Sequence, residues 1–312
     1  MYNLSPKYKR FLLSLIKLII IIGAFYYSYE KLSSNHLLSI SQLKSQFTNV
    51  FFNNIWTFIF ILLLTDANWL LEILKWKTLA SIEKKITFFD AYEQCFSSLT
   101  VSLITPNRIG EYGAKALYYK NEIRKKIMFL NLIGNLNQLG VTIFFGLIGV
   151  VFLIRNFNFK IPITNNLKLL WIPLIIGILF FFKRRIDHSK IKNYLKKLSL
   201  KFYSKIILLS FLRYLFFTHQ FIFLLRLFNV ETNYFSLLYL TFCMYLLASI
   251  IPTLAFFDWL IKGSVAIWVF GYIELNELTV VTVTTIMWIL NFAIPSIIGS
   301  IFVLNFKTIQ QP

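Results

Sequence analysis

The residues with chemistry to offer crowd into one stretch, Thr105-Pro106-Asn107-Arg108-Ile109-Gly110-Glu111-Tyr112-Gly113-Ala114-Lys115. It follows an apolar segment, Ala91 to Ile104, that is marginal for a bilayer crossing. Pro106 cannot extend a helix, and Asn107 is a good N-cap for a new one. The expected shape is a half-helix, a break, and a second half-helix. Such a break leaves backbone N–H groups without partners, and Arg108 sits beside them. A guanidinium fork matches phosphate oxygens and a helix start adds donors, so the stretch is suited to holding an anion. Glu111 and Lys115 stand at i, i+4, as do Asp258 and Lys262. In water this spacing gives plain helical ion pairs. Inside a bilayer each ionisable group costs roughly 2.5 kcal/mol or more, so paired charges in two short segments point to a polar cavity as well. Gly110 and Gly113 also suit close helix approach.

Weaker signals surround that stretch. Asn131, Asn135, Gln138 and Thr142 recur at i, i+4, i+7, i+11 and put four polar side chains on one helix face. Such a face lines a cavity or serves interhelical hydrogen bonds. Asp66 and Arg213 lie within apolar segments. They form a candidate charge pair, the alternative being that Arg213 and Arg226 snorkel to opposite interfaces. His219 alone reads as a hydrogen-bonded contact rather than a proton relay. Cys95 and Cys243 offer no disulfide framework, and His36, His188 and His219 are scattered, so neither a metal site nor a cofactor is expected.

These residues need a membrane scaffold to position them. The chain of 312 residues is 57% apolar with a mean hydropathy of +0.67. Several runs approach the roughly 20 residues that span a bilayer, and they are continuous rather than alternating. The class is an all-α polytopic membrane protein forming one membrane domain over 1–312. Expected helices run from Phe11 to Tyr29, Ile55 to Leu74, Ile127 to Ile154, Leu167 to Phe182, Ile206 to Phe228 and Thr279 to Leu304. Trp69, Lys75, Trp76 and Lys77 read as an interfacial anchor at the end of the second. Two further segments, Phe89 to Tyr119 and Phe235 to Phe270, are interrupted at Pro106 and Pro252. The expectation is six full crossings plus two re-entrant broken helices, the alternative being eight transmembrane helices. Lys and Arg then concentrate on the side of the N-terminus, which places both termini in the cytoplasm. Membrane topology, not nucleic acid, accounts for the net charge of +19. Residues 183–205 form a basic amphipathic stretch suited to an anionic inner leaflet.

The two halves echo each other. Placing Pro106 over Pro252 aligns Phe89 with Phe235, Phe96 with Phe242 and Ile104 with Ile250. Glu111-Tyr112-Gly113-Ala114-Lys115-Ala116 then matches Asp258-Trp259-Leu260-Ile261-Lys262-Gly263, one residue further on. Repeats over 55–154 and 206–304 start with helices three crossings apart, so they are inverted. Broken helices meeting near the midplane of an inverted repeat are a plan of alternating-access transporters.

Pro106-Asn107-Arg108-Ile109-Gly110-Glu111, followed by a basic helix, resembles the Pro-Gly-Arg-x-Gly-Glu motif of the lysylphosphatidylglycerol synthase transmembrane-region family. Those are flippase-like integral membrane proteins, and the resemblance runs from about Trp56 to Leu304. Asn107 replaces the usual glycine, and Pro252 to Gly263 lacks the family's Gly-Gly-x-Gly run. The resemblance carries over Arg108, Gly110 and Glu111. It implies translocation of a phospholipid or polyprenyl-linked lipid in a bacterial cytoplasmic membrane, without aminoacyl transfer. Arg108 is expected to meet an anionic headgroup, with Glu111 and Asp258 receiving any cationic part. Lys115, Lys262, Asn135 and Gln138 complete the expected binding set. An intramembrane lipid-modifying enzyme and a non-transporting scaffold are the rival readings, although no nucleophile–base pair is visible.

Overall fold

The computed structural model describes residues 55–103, 105, 108–157, 198–253 and 257–306, together with Thr48. The expected helices from Phe11 to Tyr29 and Leu167 to Phe182, and residues 183–197 of the basic stretch, lie outside the described residues. So do Pro106 and Asn107.

Among the described residues every regular element is helical. In chain order they are α1 (Ile55–Ala80), α2 (Phe88–Ser102), α3 (Ile109–Leu117), α4 (Asn121–Asn156), α5 (Leu200–Leu227), α6 (Tyr234–Ile250), α7 (Asp258–Phe270), α8 (Glu277–Trp288) and α9 (Ile294–Leu304). A π-helical turn, Ile289–Ala293, joins α8 to α9. Among the described residues four stretches are long and apolar enough to cross a membrane: α1, α4, α5 and the continuous Glu277–Leu304. Their outer faces carry exposed large apolar side chains such as Trp56, Phe144 and Ile297, as a lipid-facing surface does.

Local chemistry explains the boundaries. Thr87 and Asp90 form a reciprocal capping box that starts α2. Ser199, Asn233 and Asn276 cap α5, α6 and α8 with side-chain oxygens. The residue before a proline is pushed from helical to extended backbone, and Ile251, before Pro252, sits at φ −82°, ψ 116° and ends α6. Pro295 has no N–H to offer the carbonyl of Asn291, and the π turn falls where that bond would have been.

Both broken segments therefore have the expected form of helix, break and helix. α1 runs to Ala80, however, beyond the expected Leu74, and the anchor reading of its end is wrong. Lys75 and Trp76 are each 1% exposed and Trp69 is buried too, all packed inside the protein. α5 begins at Leu200 rather than Ile206, so Phe202 from the basic stretch is part of its first turn and packs on the core.

The packing has two centres. One gathers Trp69, Trp76, Phe96, Tyr119 and Leu130 from the first half with Phe292 from the second. The other gathers Phe221, Leu240, Val265 and Phe270 from the second half with Ile61 and Leu153 from the first. α1 packs along α5, α2 packs on α9, and α6 packs on α4. Lipid is as apolar as leucine, so helices gain by close van der Waals contact rather than by leaving water. Glycines permit it where α4 meets α6 and where α9 meets α2. A Cβ on Gly149 of α4 would collide with the Tyr239 carbonyl of α6, and one on Gly299 of α9 with the Phe96 carbonyl of α2.

Candidate functional site

A cavity of about 470 Å³ lies between the two centres. Its wall takes Arg108, Glu111 and Tyr112 from the first broken segment and Asp258 and Lys262 from the second. α4 adds Asn135, Gln138 and Thr142, α1 adds Asn68 and Trp69, α5 adds Arg213, and the π turn adds Asn291 and Phe292. Charged residues that the sequence places 150 positions apart thus share one hollow. Its volume falls within the roughly 300–1,000 Å³ of small-ligand sites, room for a headgroup but not for lipid chains.

Arg108 is a half-buried cation on the wall. Its backbone is left-handed, at φ 56°, ψ 29°, a conformation that strains a residue with a Cβ. That geometry turns the chain into α3. Its guanidinium lies 4.6 Å from the centre of the Phe292 ring, and it forms no ion pair or hydrogen bond with any described residue. Gly110 is not on the wall. Its N–H donates to Thr105 Oγ1 at 2.9 Å, and a Cβ there would come within 2.8 Å of the Thr105 side chain. Gly110 therefore closes the break, while Gly113 faces open space.

The two i, i+4 pairs form as expected, at 2.7 Å each. Their surroundings differ. Lys115 is 1% exposed and stands behind the wall. Its ammonium also donates to Asn131 Oδ1 at 2.9 Å and lies 4.3 Å from the centre of the Trp76 ring. Trp76 Nε1 and Tyr119 Oη both donate to Gln94 Oε1 at 2.8 Å, which fixes that ring in place. Lys115 holds Glu111 and does not reach the cavity, contrary to its expected binding role. Lys262 is different, with 37% of its side chain exposed. Both carboxylates are already occupied by internal lysines, so no free acid awaits a cationic headgroup.

The polar stripe on α4 splits. Asn135 Nδ2 donates to Tyr112 Oη at 3.1 Å, and Gln138 Nε2 reaches the Ser210 carbonyl at 3.4 Å while its Oε1 has no partner. Thr142 completes the cavity face, whereas Asn131 serves Lys115.

Asp66 and Arg213 do not pair. Asp66 is exposed, on a different face of α1. Arg213 Nη1 lies 2.7 Å from Glu72 Oε2, and Lys75 Nζ lies 2.6 Å from the same atom. Arg213 Nε also donates to Asn68 Oδ1 at 3.1 Å. From there a chain of amides continues: Asn68 donates to Asn291 at 2.8 Å, Asn291 to Gln220 at 2.9 Å, and Gln220 to Thr65 at 2.7 Å. Sequence reasoning missed Asn68, Glu72, Lys75 and Asn291. The signal was present, since Asn68, Glu72 and Lys75 stand at i, i+4, i+7 in an otherwise apolar helix. His219 is exposed, within 2.8 Å of the Leu215 carbonyl of its own helix, and takes no part.

Among the described residues no three of His, Cys, Asp or Glu gather as metal ligands would. Cys95 and Cys243 are both buried free thiols, one in each half. The arrangement is a charged hollow among apolar helices, with cations on several walls and one guanidinium that no described carboxylate bridges. No family model, no curated protein and no solved structure matches the chain.

Proposed function

We propose that the protein moves an amphipathic lipid across a membrane by admitting its anionic headgroup to this cavity. The observation that carries the reading is Arg108, a guanidinium on the wall of a hollow between two broken helices that makes no salt bridge or hydrogen bond with any described residue, although Glu111 and Asp258 lie near enough to feel its charge. An unpaired charge surrounded by apolar helices is costly. A protein keeps one there when a ligand supplies the counter-charge. The motif resemblance around Arg108, Gly110 and Glu111 leads in the same direction, to a flippase-like transporter of a phospholipid or polyprenyl-linked lipid.

Symmetry supports a transport mechanism. Exchange of α1 with α5, α2 with α6, α3 with α7, and α4 with α8–α9 turns most of the principal contacts into one another. The packing of α2 on α9 becomes that of α6 on α4, and α1 on α5 maps onto itself. In this reading the chain is an inverted repeat with two re-entrant hairpins and six full crossings. Rocking of one half against the other would expose the cavity to each side in turn. The lipid chains stay in the bilayer while the headgroup passes through the hollow. The setting is a bacterial cytoplasmic membrane with both termini inside and 183–205 on the anionic leaflet.

The test is reconstitution into vesicles with leaflet-selective labelling of fluorescent lipids. Protein-dependent movement of an anionic lipid, lost on Arg108→Ala in protein that still folds, is the expected result. Vesicles with and without the protein behaving alike would remove the proposal.

A further inference from the structure

The charges around the cavity do not balance. Five cations stand on or directly behind its wall: Lys75, Arg108, Lys115, Arg213 and Lys262. Three carboxylates answer them. Glu111 is taken by Lys115, Asp258 by Lys262, and Glu72 is shared between Lys75 and Arg213. Arg108 has none among the described residues. Two positive charges are therefore left over, one at Arg108 and one at the shared Glu72. The chain has few other acids to offer. Of its 13 Asp and Glu, only Glu30 and Asp187 lie outside the described residues. Trp69 also lines the cavity, with its Nε1–H buried and without a partner.

A ligand fits this deficit when it brings two negative charges and several acceptor oxygens. A phosphomonoester carries about −1.5 to −2 at neutral pH. A phosphodiester carries one negative charge and a zwitterionic headgroup none, and any cationic headgroup meets carboxylates already engaged. We infer that the headgroup taken by this cavity is a doubly charged phosphate borne on a lipid, a phosphomonoester or diphosphate. The inference rests on the reading of the cavity as a headgroup site and narrows it to one chemical class. Arg108 supplies a two-pronged donor and Arg213 the second excess charge.

The test separates binding from movement. The full chain in detergent is titrated with dihexanoyl forms of phosphatidate, diacylglycerol pyrophosphate, phosphatidylglycerol and phosphatidylcholine, followed by tryptophan fluorescence. Charge-assisted hydrogen bonds predict that the two doubly charged lipids bind about tenfold or more tighter than phosphatidylglycerol, with phosphatidylcholine weakest. Inorganic phosphate and pyrophosphate as competitors tell whether the lipid part is needed; displacement by either supports the charge assignment, and failure of both to displace bound phosphatidate counts against it. Arg108→Gln is expected to erase the preference. Asp258→Asn, which removes a carboxylate from a half-exposed pair, is expected to enlarge it severalfold and keeps the test alive should Arg108→Gln fail to fold. Equal binding of all four lipids, or none, overturns the inference. Labelled versions of the same lipids in vesicles decide transport separately. Selective binding without movement sinks translocation and leaves the charge assignment standing. Movement without discrimination does the reverse.

Discussion

The two broken segments, α2–α3 and α6–α7, share an outline and differ in what surrounds it. Each is an apolar helix, a break, and a short helix whose first or third residue is an acid paired with a lysine four residues on. In the first the break holds a cation in left-handed backbone, and the ion pair is sunk against Asn131 and the Trp76 ring. In the second the break is opened by Ile251 in ordinary extended backbone, and the pair faces the hollow, its lysine 37% exposed. The same four-residue spacing therefore does two jobs. Buried, it is a clamp that makes one hairpin rigid; half-exposed, it is adjustable charge at the cavity.

The sharpest way to break that contrast is to remove one lysine at a time. Lys115→Met leaves the buried Asn131 and the mostly covered Glu111, 15% exposed at the cavity wall, without their cation. Loss of one partner from a buried pair costs about 3–5 kcal/mol. We expect a large fall in thermal midpoint in detergent, much of it restored by the double change Lys115→Met with Glu111→Gln. A small effect for Lys115→Met would mean the clamp is not buried as described.

Arg108 comes next, and its effect falls on function rather than folding. Left-handed backbone costs a residue with a Cβ roughly 1–2 kcal/mol, so Arg108→Gly should hold or raise stability while cutting headgroup affinity and lipid movement. A charged hydrogen bond is worth about 1.5–3 kcal/mol, so that cut should be about tenfold or more. Arg108→Lys should recover only part, since an ammonium lacks the planar fork. Measuring unfolding and lipid movement on the same preparations separates the two effects.

How much of this was legible follows the range of the interactions involved. Helix existence and the two breaks came from hydropathy and from Pro106 and Pro252, which act within a few residues. Glu111, Asp258 and Lys262 were legible as cavity residues because charges at i, i+4 in apolar segments need a shared polar space, and Arg108 because it stands beside the break at Pro106. Glu72 and Lys75 were not. A Trp–Lys pair near a helix end has the same composition whether it meets headgroups or another helix. Only Arg213, on a helix far along the chain, decides between them, by taking Glu72. Asp66 was chosen as its partner on charge alone, but α1 turns Asp66 away and presents Asn68 and Glu72. Asn291 gave no periodic signal. Its place in the cavity depends on the π turn ahead of Pro295.

Glycine substitutions sharpen the comparison at the level of packing. Gly299→Ala drives a methyl into the α2 backbone and Gly149→Ala drives one into the α6 backbone. Overpacking of this kind costs about 1–3 kcal/mol. If the hairpins are held alike, the two losses should be similar. Gly113→Ala, which meets nothing within 4 Å, should be neutral or stabilise by up to about 1 kcal/mol. Thermal unfolding of the three variants side by side checks it, and a loss at Gly113 as large as at Gly299 would contradict the contacts described.

The smallest expected change in stability is at Lys262, and it carries the contrast furthest. Its pair with Asp258 has the same 2.7 Å length as the clamp, yet over a third of its side chain is open. Exposed pairs are worth about 0–1 kcal/mol, so Lys262→Gln should leave unfolding nearly where it was. The cavity, however, would lose a cation while keeping Asp258, and its two excess positive charges would fall to one. A doubly charged lipid should then bind severalfold more weakly, and a singly charged one should lose less. Distance alone would rank Lys115 and Lys262 as equals; burial separates them, one sunk behind the wall and the other open to the cavity. A Lys262→Gln protein that unfolds like Lys115→Met, with lipid preference intact, would reverse that ranking.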